Sequence, residues 1–163
     1  MPSFYEFFAG GGLARGGLGK GWTCLFANDF DAKKGLTYQL NWGIGGELKL
    51  GDVGTIRIAD VPGWADLVWG LFPCQDLSLA GGGAGLKGER SGTFYPFWTV
   101  VKDLIAEGRG PKLIALENVL GTLTSAIAHA PFEGVKMGRC LGLYFFGCGD
   151  IANMSQPSGD TAA

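Results

Sequence analysis

Ser3-Phe-Tyr-Glu-Phe-Phe-Ala-Gly-Gly-Gly12 decides how the rest of the chain is read. An aromatic-rich run stopping at three glycines reads as a buried strand, Ser3 to Phe8, that enters a turn. Glycine there lets the backbone pass close to a ligand. Working outward, Leu13 to Lys20 reads as a short, glycine-weakened helix and Trp22 to Asn28 as a second strand. Asp31 to Asn41 reads as a helix, with Asp29 or Asp31 placed to cap it. Gly51-Asp52-Val53 closes a short strand, Asp66 to Gly70 forms another, and Phe72 to Arg90 is a long glycine-rich loop. Thr93 to Glu107 carries apolar residues at helical spacing, with Pro96 tolerable in the first turn. Lys112 to Glu117 is a continuous apolar strand ending in an acid, and Leu141 to Phe146 is a candidate last strand.

Strands alternating with helices predict an α/β fold with an open, mostly parallel sheet and helices on both faces. Ligands in such sheets bind at the carboxyl ends of the strands, near the switch in strand order. The Gly10 turn, Asp29, Asp52, Cys74 and Glu117 all fall at those ends.

Composition narrows the class. The 163 residues suit one ordinary domain, and the net charge of −2 sets up no strong field for nucleic acid while leaving local contacts open. Thirty glycines, about 18% against a usual ~7%, cluster in loops without a triplet period, which excludes collagen. No apolar run reaches the ~18 residues of a membrane span, and the N-terminus lacks a basic-then-apolar signal. Cys24, Cys74, Cys140 and Cys148 show neither CxxC pairing nor metal-ligand spacing, so free thiols in a reducing cytoplasm are expected. A single histidine, His129, argues against a histidine-based metal cluster.

Each polar constellation has a plain structural alternative. Phe8 to Gly12 is either a ligand-binding turn or an ordinary strand-to-helix turn, and it lacks strict GxGxxG spacing. That spacing does occur at Gly83 to Gly88, but no strand runs directly into it, so it is set aside. Asp29 stands 17 residues after Gly12, near the ~20-residue offset of an acid that accepts from a ribose diol. Its alternative is a helix cap beside a core Phe30. Asp52 is an acceptor for a base amino group or a turn former. Cys74 follows Pro73, leaves its strand and precedes Gln75 and Asp76, whereas a structural cysteine usually sits inside an apolar element. Glu117 is a partly buried acid able to hold a proton near neutrality, or a capping residue.

Phe8-Ala-Gly-Gly-Gly12, Asn28-Asp29-Phe30-Asp31, Gly51-Asp52, Phe72-Pro-Cys-Gln75 with Ser78, Arg90-Ser-Gly92 and Glu117-Asn-Val119 occur in order. The series resembles the DNA cytosine-5 methyltransferase family over approximately Phe4 to Thr124. The PCQ and ENV pair at this separation is the specific part of the likeness. It implies a Rossmann-like S-adenosylmethionine-dependent fold. Phe8, Gly10, Gly12 and Pro73 would then line the cofactor site, with Asp29 on the ribose, Phe30 on the adenine and Asp52 on its amino group. Cys74 would add to carbon 6 of a flipped cytosine and Glu117 would hold or protonate nitrogen 3. Gln75, Ser78, Arg90 and Asn118 would contact the substrate, and the Ala80 to Gly92 loop, with Lys87 and Arg90, would close over the base.

After Thr124 the chain departs from that pattern. The arginine-bearing QxRxR-type segment, the target-recognition region and the final motif are not found. Residues 1–125 therefore read as a cofactor-binding and catalytic subdomain, incomplete at its C-terminal side, and 126–163 as a divergent, partly disordered tail. The expectation is a truncated or partial enzyme with little site-specific methylation alone, or a non-catalytic cofactor-binding remnant. A cysteine hydrolase would need His129 beside Cys74. DNA is the expected partner, with a transfer RNA left open. An uncovered sheet edge further predicts self-association or a complementary polypeptide.

Overall fold

The computed structural model describes residues 1–72 and 93–117, and residues 142–146 as a strand. Strands β1 (Ser3–Phe7), β2 (Thr23–Asp29), β3 (Leu48–Leu50), β4 (Leu67–Gly70), β5 (Leu113–Glu117) and β6 (Gly142–Phe146) form one sheet in the order β3-β2-β1-β4-β5-β6. Every pairing is parallel. The expected last strand thus joins β5. Its pairing puts Leu113 opposite Gly142 and Glu117 opposite Phe146.

Period-two alternation on β1 sends Tyr5 and Phe7 to one face and Phe4 and Glu6 to the other. On the first face, Tyr5 and Phe7 pack with Val68, Ile114 and Leu116 beneath helix α3 (Phe94–Ala106). The helix buries Phe94, Phe97, Trp98, Val101 and Leu104, the i, i+3, i+4, i+7 stripe of an amphipathic helix. Each such side chain contributes about 1.5–3 kcal/mol by leaving water. Pro96 sits in its first turn, where it costs no intrahelical hydrogen bond. Among the described residues, no helix is long and apolar enough to cross a membrane.

The second face carries helices α1 (Leu13–Leu18) and α2 (Ala32–Trp42). Phe4, Leu67, Trp69 and Ala115 pack there with Ala14, Leu18 and Trp22, while Ala27 packs with Tyr38. Arg15 ties the two helices together. Its guanidinium lies over Trp42 at 4.9 Å, donates to the Tyr38 hydroxyl at 2.9 Å and pairs with Glu47 at 2.5 Å.

Two element ends differ from expectation by more than one residue. The first helix stops at Leu18 and continues as a 3₁₀ turn, Gly19–Gly21, because glycines weaken it. Strand β3 ends at Leu50 rather than running to Val53; Asp52 instead caps a 3₁₀ turn over Val53–Thr55, accepting from Gly54 N at 2.7 Å. Of the two candidate caps for α2, Asp31 takes the role by accepting from Lys33 N at 2.8 Å.

At the amino ends of the strands Arg109 holds the connection into β4. It donates to the carbonyls of Val61 at 2.7 Å, Gly63 at 3.0 Å and Ile58 at 3.2 Å. The buried Tyr5 hydroxyl donates to Pro62 O and Gly63 O in the same turn.

Candidate active site

The turn after β1 is held in shape from three sides. Ala9 N donates to Asn28 O at 2.9 Å, and Gly12 N donates back to Ala9 O at 2.8 Å. From α2, Asn41 Nδ2 and Trp42 Nε1 both donate to Gly11 O. Gly10, at φ 57°, donates its N–H to Asp29 Oδ2 at 2.8 Å. Phe8 also stands at positive φ, 59°, a conformation that strains a side chain of its size. Its ring is seated 5.9 Å from that of Phe97.

Asp29 closes β2 almost fully buried, and its two carboxyl oxygens take the N–H groups of Gly10 and Asp31. Each oxygen keeps a second lone pair. Asn28 beside it donates to Lys49 O and Gly51 O, and Gly51 N donates to Asp29 O, which locks the ends of β2 and β3 together. Phe30 follows, 77% exposed. An apolar ring left open to water beside a buried acid is poised to stack on something flat.

Beneath the turn lies a cleft of about 300 Å³ lined by Glu6, Phe8, Gly10, Gly11, Lys34 and Trp69, among others. Phe8 and Gly10, predicted from sequence, are in its wall. Gly12, Asp29, Phe30 and Asp52 are not in its lining, although Asp29 is bonded to Gly10, which is.

Glu6 was not among the predicted residues. It faces α1 from the middle of β1, only 2% exposed. Oε1 accepts from Ala14 N at 3.1 Å, while Oε2 has no hydrogen-bond partner among the described residues. Burial pushes its carboxyl up to about 7. A sequence signal existed: a lone acid inside a strand covered on both faces cannot reach water and must have a reason to be there.

Glu117 ends β5, nearly buried, and burial raises its pKa. Register places it well. Phe7 pairs with Gly70 and Gly70 with Leu116, so Phe8, Leu71 and Glu117 leave three adjacent strands at one level. Neighbouring parallel strands lie about 4.8 Å apart, which sets Glu117 roughly 10 Å from the turn after β1. Pro73, Cys74, Gln75, Ser78, Arg90 and Asn118 lie outside the described residues, as does the segment from 83 to 88.

A family model described as C-5 cytosine-specific DNA methylase matches residues 3–130. The chain belongs to that family. The cofactor of the family is S-adenosylmethionine. Among curated relatives, the chain is 34% identical over 124 residues to the type II methyltransferase M.BsuFI of Bacillus subtilis, covering 76% of this chain and 28% of that one. It is 35% identical over 121 residues to the type II methyltransferase M.Bsp6I of Bacillus sp. (strain RFL6), covering 73% of this chain and 36% of that one. The chain thus spans about a third of the length of the curated relatives it matches. Among solved structures, the S. pombe Dnmt2 methyltransferase superposes with a TM-score of 0.61 at 22% identity, over 78% of this chain and 39% of that one. That likeness carries the fold: an open parallel sheet of the Rossmann-like methyltransferase kind.

Proposed function

We propose that this chain carries the cofactor-binding and catalytic half of a DNA cytosine-5 methyltransferase, transferring a methyl group from S-adenosylmethionine to carbon 5 of a flipped cytosine. The observation that carries the reading is Glu117: a nearly buried acid with a raised pKa, level with the glycine turn and one strand from β4, the strand that precedes Cys74 in the sequence. Several features suit the cofactor. The open face of Phe30 suits the adenine, the spare lone pairs of Asp29 suit a ribose diol, and the unpartnered Glu6 Oε2 in the cleft suits a polar or cationic group. Asp52, with Oδ1 engaged by Gly54 N, keeps Oδ2 for the adenine amino group.

When bound, the cofactor supplies an electrophilic methyl group. The chain's own groups would do the remaining work. The Cys74 thiolate adds to carbon 6, forming a C–S bond while the ring's C5–C6 π electrons move toward carbon 5. Glu117, whose pKa is raised by burial, would donate a proton to nitrogen 3, so that charge does not accumulate on the ring. Carbon 5 becomes nucleophilic. After methylation, a base takes the carbon-5 proton, its bonding pair re-forms the C5–C6 double bond as the C–S bond breaks to release the Cys74 thiolate, and nitrogen 3 returns its proton to Glu117. Gln75, Ser78, Arg90 and Asn118 position the base and its phosphates.

Trapping on DNA containing 5-fluorocytosine tests this reading, since fluorine at carbon 5 cannot leave as a proton and the adduct persists. A covalent complex that requires S-adenosylmethionine and disappears in Cys74→Ser is expected. Cofactor binding without any adduct would favour the non-catalytic reading instead. Sedimentation of the chain alone reports whether it self-associates or requires a complementary polypeptide; a stable monomer speaks against both.

A further inference from the structure

Lys34 lines the cleft together with Glu6, yet no motif singles it out and no ion pair engages it among the described residues. Its position on α2 is locally unfavourable. Lys33 and Lys34 occupy the first turn, the positive end of the helix dipole, where the N-cap Asp31 is the acid beside them and its Oδ1 is engaged by Lys33 N. A lysine kept against that dipole, on a wall of the cavity, is placed for something in the cavity. The opposite requirement comes from Glu6, whose Oε2 is buried on the β1 wall with no hydrogen-bond partner among the described residues. A cavity with one acid and one base in its walls, not paired with each other, is complementary to a zwitterion.

We propose that Lys34 binds the α-carboxylate of S-adenosylmethionine, fixing the amino-acid end of the cofactor in the cleft beneath the glycine turn. The assignment rests on the reading that this cleft holds the cofactor. It gives Lys34 a positioning role: the ammonium takes the carboxylate in a charge-assisted hydrogen bond, and the methyl-bearing sulfonium is anchored from the end remote from Phe30. It also makes the residue a determinant of specificity against ligands that share the nucleoside but lack the carboxylate.

The test is calorimetric binding to the 163-residue chain, its Lys34→Gln variant and the conservative Lys34→Arg. Three ligands are used: S-adenosylmethionine, its decarboxylated form, and 5′-methylthioadenosine, which lacks the amino-acid end. Glutamine removes the charge from an exposed helical position, so the urea midpoint should hold or rise slightly. Lys34→Gln is expected to weaken S-adenosylmethionine roughly tenfold and to leave the other two ligands unchanged, with Lys34→Arg close to wild type. Equal weakening of all three ligands, or of none, overturns the assignment while the cofactor reading stands. The same holds if Lys34→Gln lowers only the retention of duplex DNA, which would make the lysine a phosphate contact. If the unaltered chain binds none of the three, the cofactor reading fails and the assignment falls with it.

Discussion

Gly12→Ala should be far more damaging than Gly10→Ala, although both glycines sit in one turn at positive φ. A methyl at either position costs about 1 kcal/mol because the left-handed conformation brings Cβ against the following carbonyl. At Gly10 nothing else lies within 4 Å, so the cost ends there. At Gly12 the new Cβ would fall on the Trp42 indole, with Cδ1 at 2.7 Å. That ring cannot move freely, because its Nε1 donates to Gly11 O at 3.1 Å and Arg15 lies over its face at 4.9 Å. Displacing it forfeits about 1 kcal/mol of hydrogen bond and about 0.5–1 kcal/mol of cation–π attraction, and overpacking adds at least 1 kcal/mol. Because these terms overlap, roughly 3 kcal/mol is expected for Gly12→Ala against about 1 for Gly10→Ala. Urea unfolding with a slope near 2 kcal/mol/M would separate the two midpoints by about 1 M. Equal midpoints would show that the Trp42–Arg15 stack does not confine the turn, and the account of how the turn is built would be wrong.

Glu6→Gln should flatten the pH dependence of stability. The buried carboxyl sits near 7 rather than the ordinary 4.5, so the native state binds more protons than the unfolded chain between those values. Its contribution is fully present below about 4.5 and lost as pH rises through 7, a swing of up to about 3 kcal/mol that urea midpoints across this range would show in the wild type only. Phe30→Ala removes an exposed ring, so stability should change by less than about 0.5 kcal/mol while S-adenosylmethionine binding weakens about tenfold by calorimetry. Arg109→Ala withdraws donors from Ile58, Val61 and Gly63 at the far end of the sheet and should cost about 2 kcal/mol with cofactor affinity unchanged; Arg109→Lys, lacking the planar fork, should recover little of the loss.

Most of the architecture was legible because this sheet is parallel. Strands covered on both faces must be continuous apolar runs, and glycine clusters mark where they stop, so β1, β2, β4, β5 and β6 could be placed from composition and punctuation. Asp29 and Asp31 were harder to tell apart. Both stand before α2, and only three-dimensional geometry decides that Asp31 caps the helix while Asp29 turns toward Gly10. Asp52 was placed at the end of a strand and offered as a base acceptor or a turn former; its carboxyl closes the turn that follows, so the turn-former reading holds and the strand stops short of it. Glu6 was overlooked inside SFYEFF, where aromatic neighbours drew attention to burial rather than to the acid being buried. Lys34 and Arg109 carried no local signal at all. The place of Lys34 in the cleft wall and the contacts of Arg109 arise from which distant segments the fold brings to them, and neither periodicity nor spacing encodes that.

The strand order also governs how such a chain reaches its native state. β1 lies inside the sheet between β2 and β4, with Phe4 opposite Cys24 on one side and Leu67 on the other. An emerging polypeptide can complete the first of these pairings early, and residues 8 to 42 then suffice to shape the glycine turn, since Asn28, Asp29, Asn41 and Trp42 all lie within them. The other edge of β1 must wait for β4, whose Leu67 lies 63 residues beyond its partner Phe4, and closing so large a loop is slow. Refolding should therefore proceed in two stages, with an early intermediate that exposes one side of β1 as a template for aggregation. Cofactor added at the start of refolding should shorten the life of that intermediate only if the pocket's far wall, Trp69 on β4, is dispensable for the first encounter.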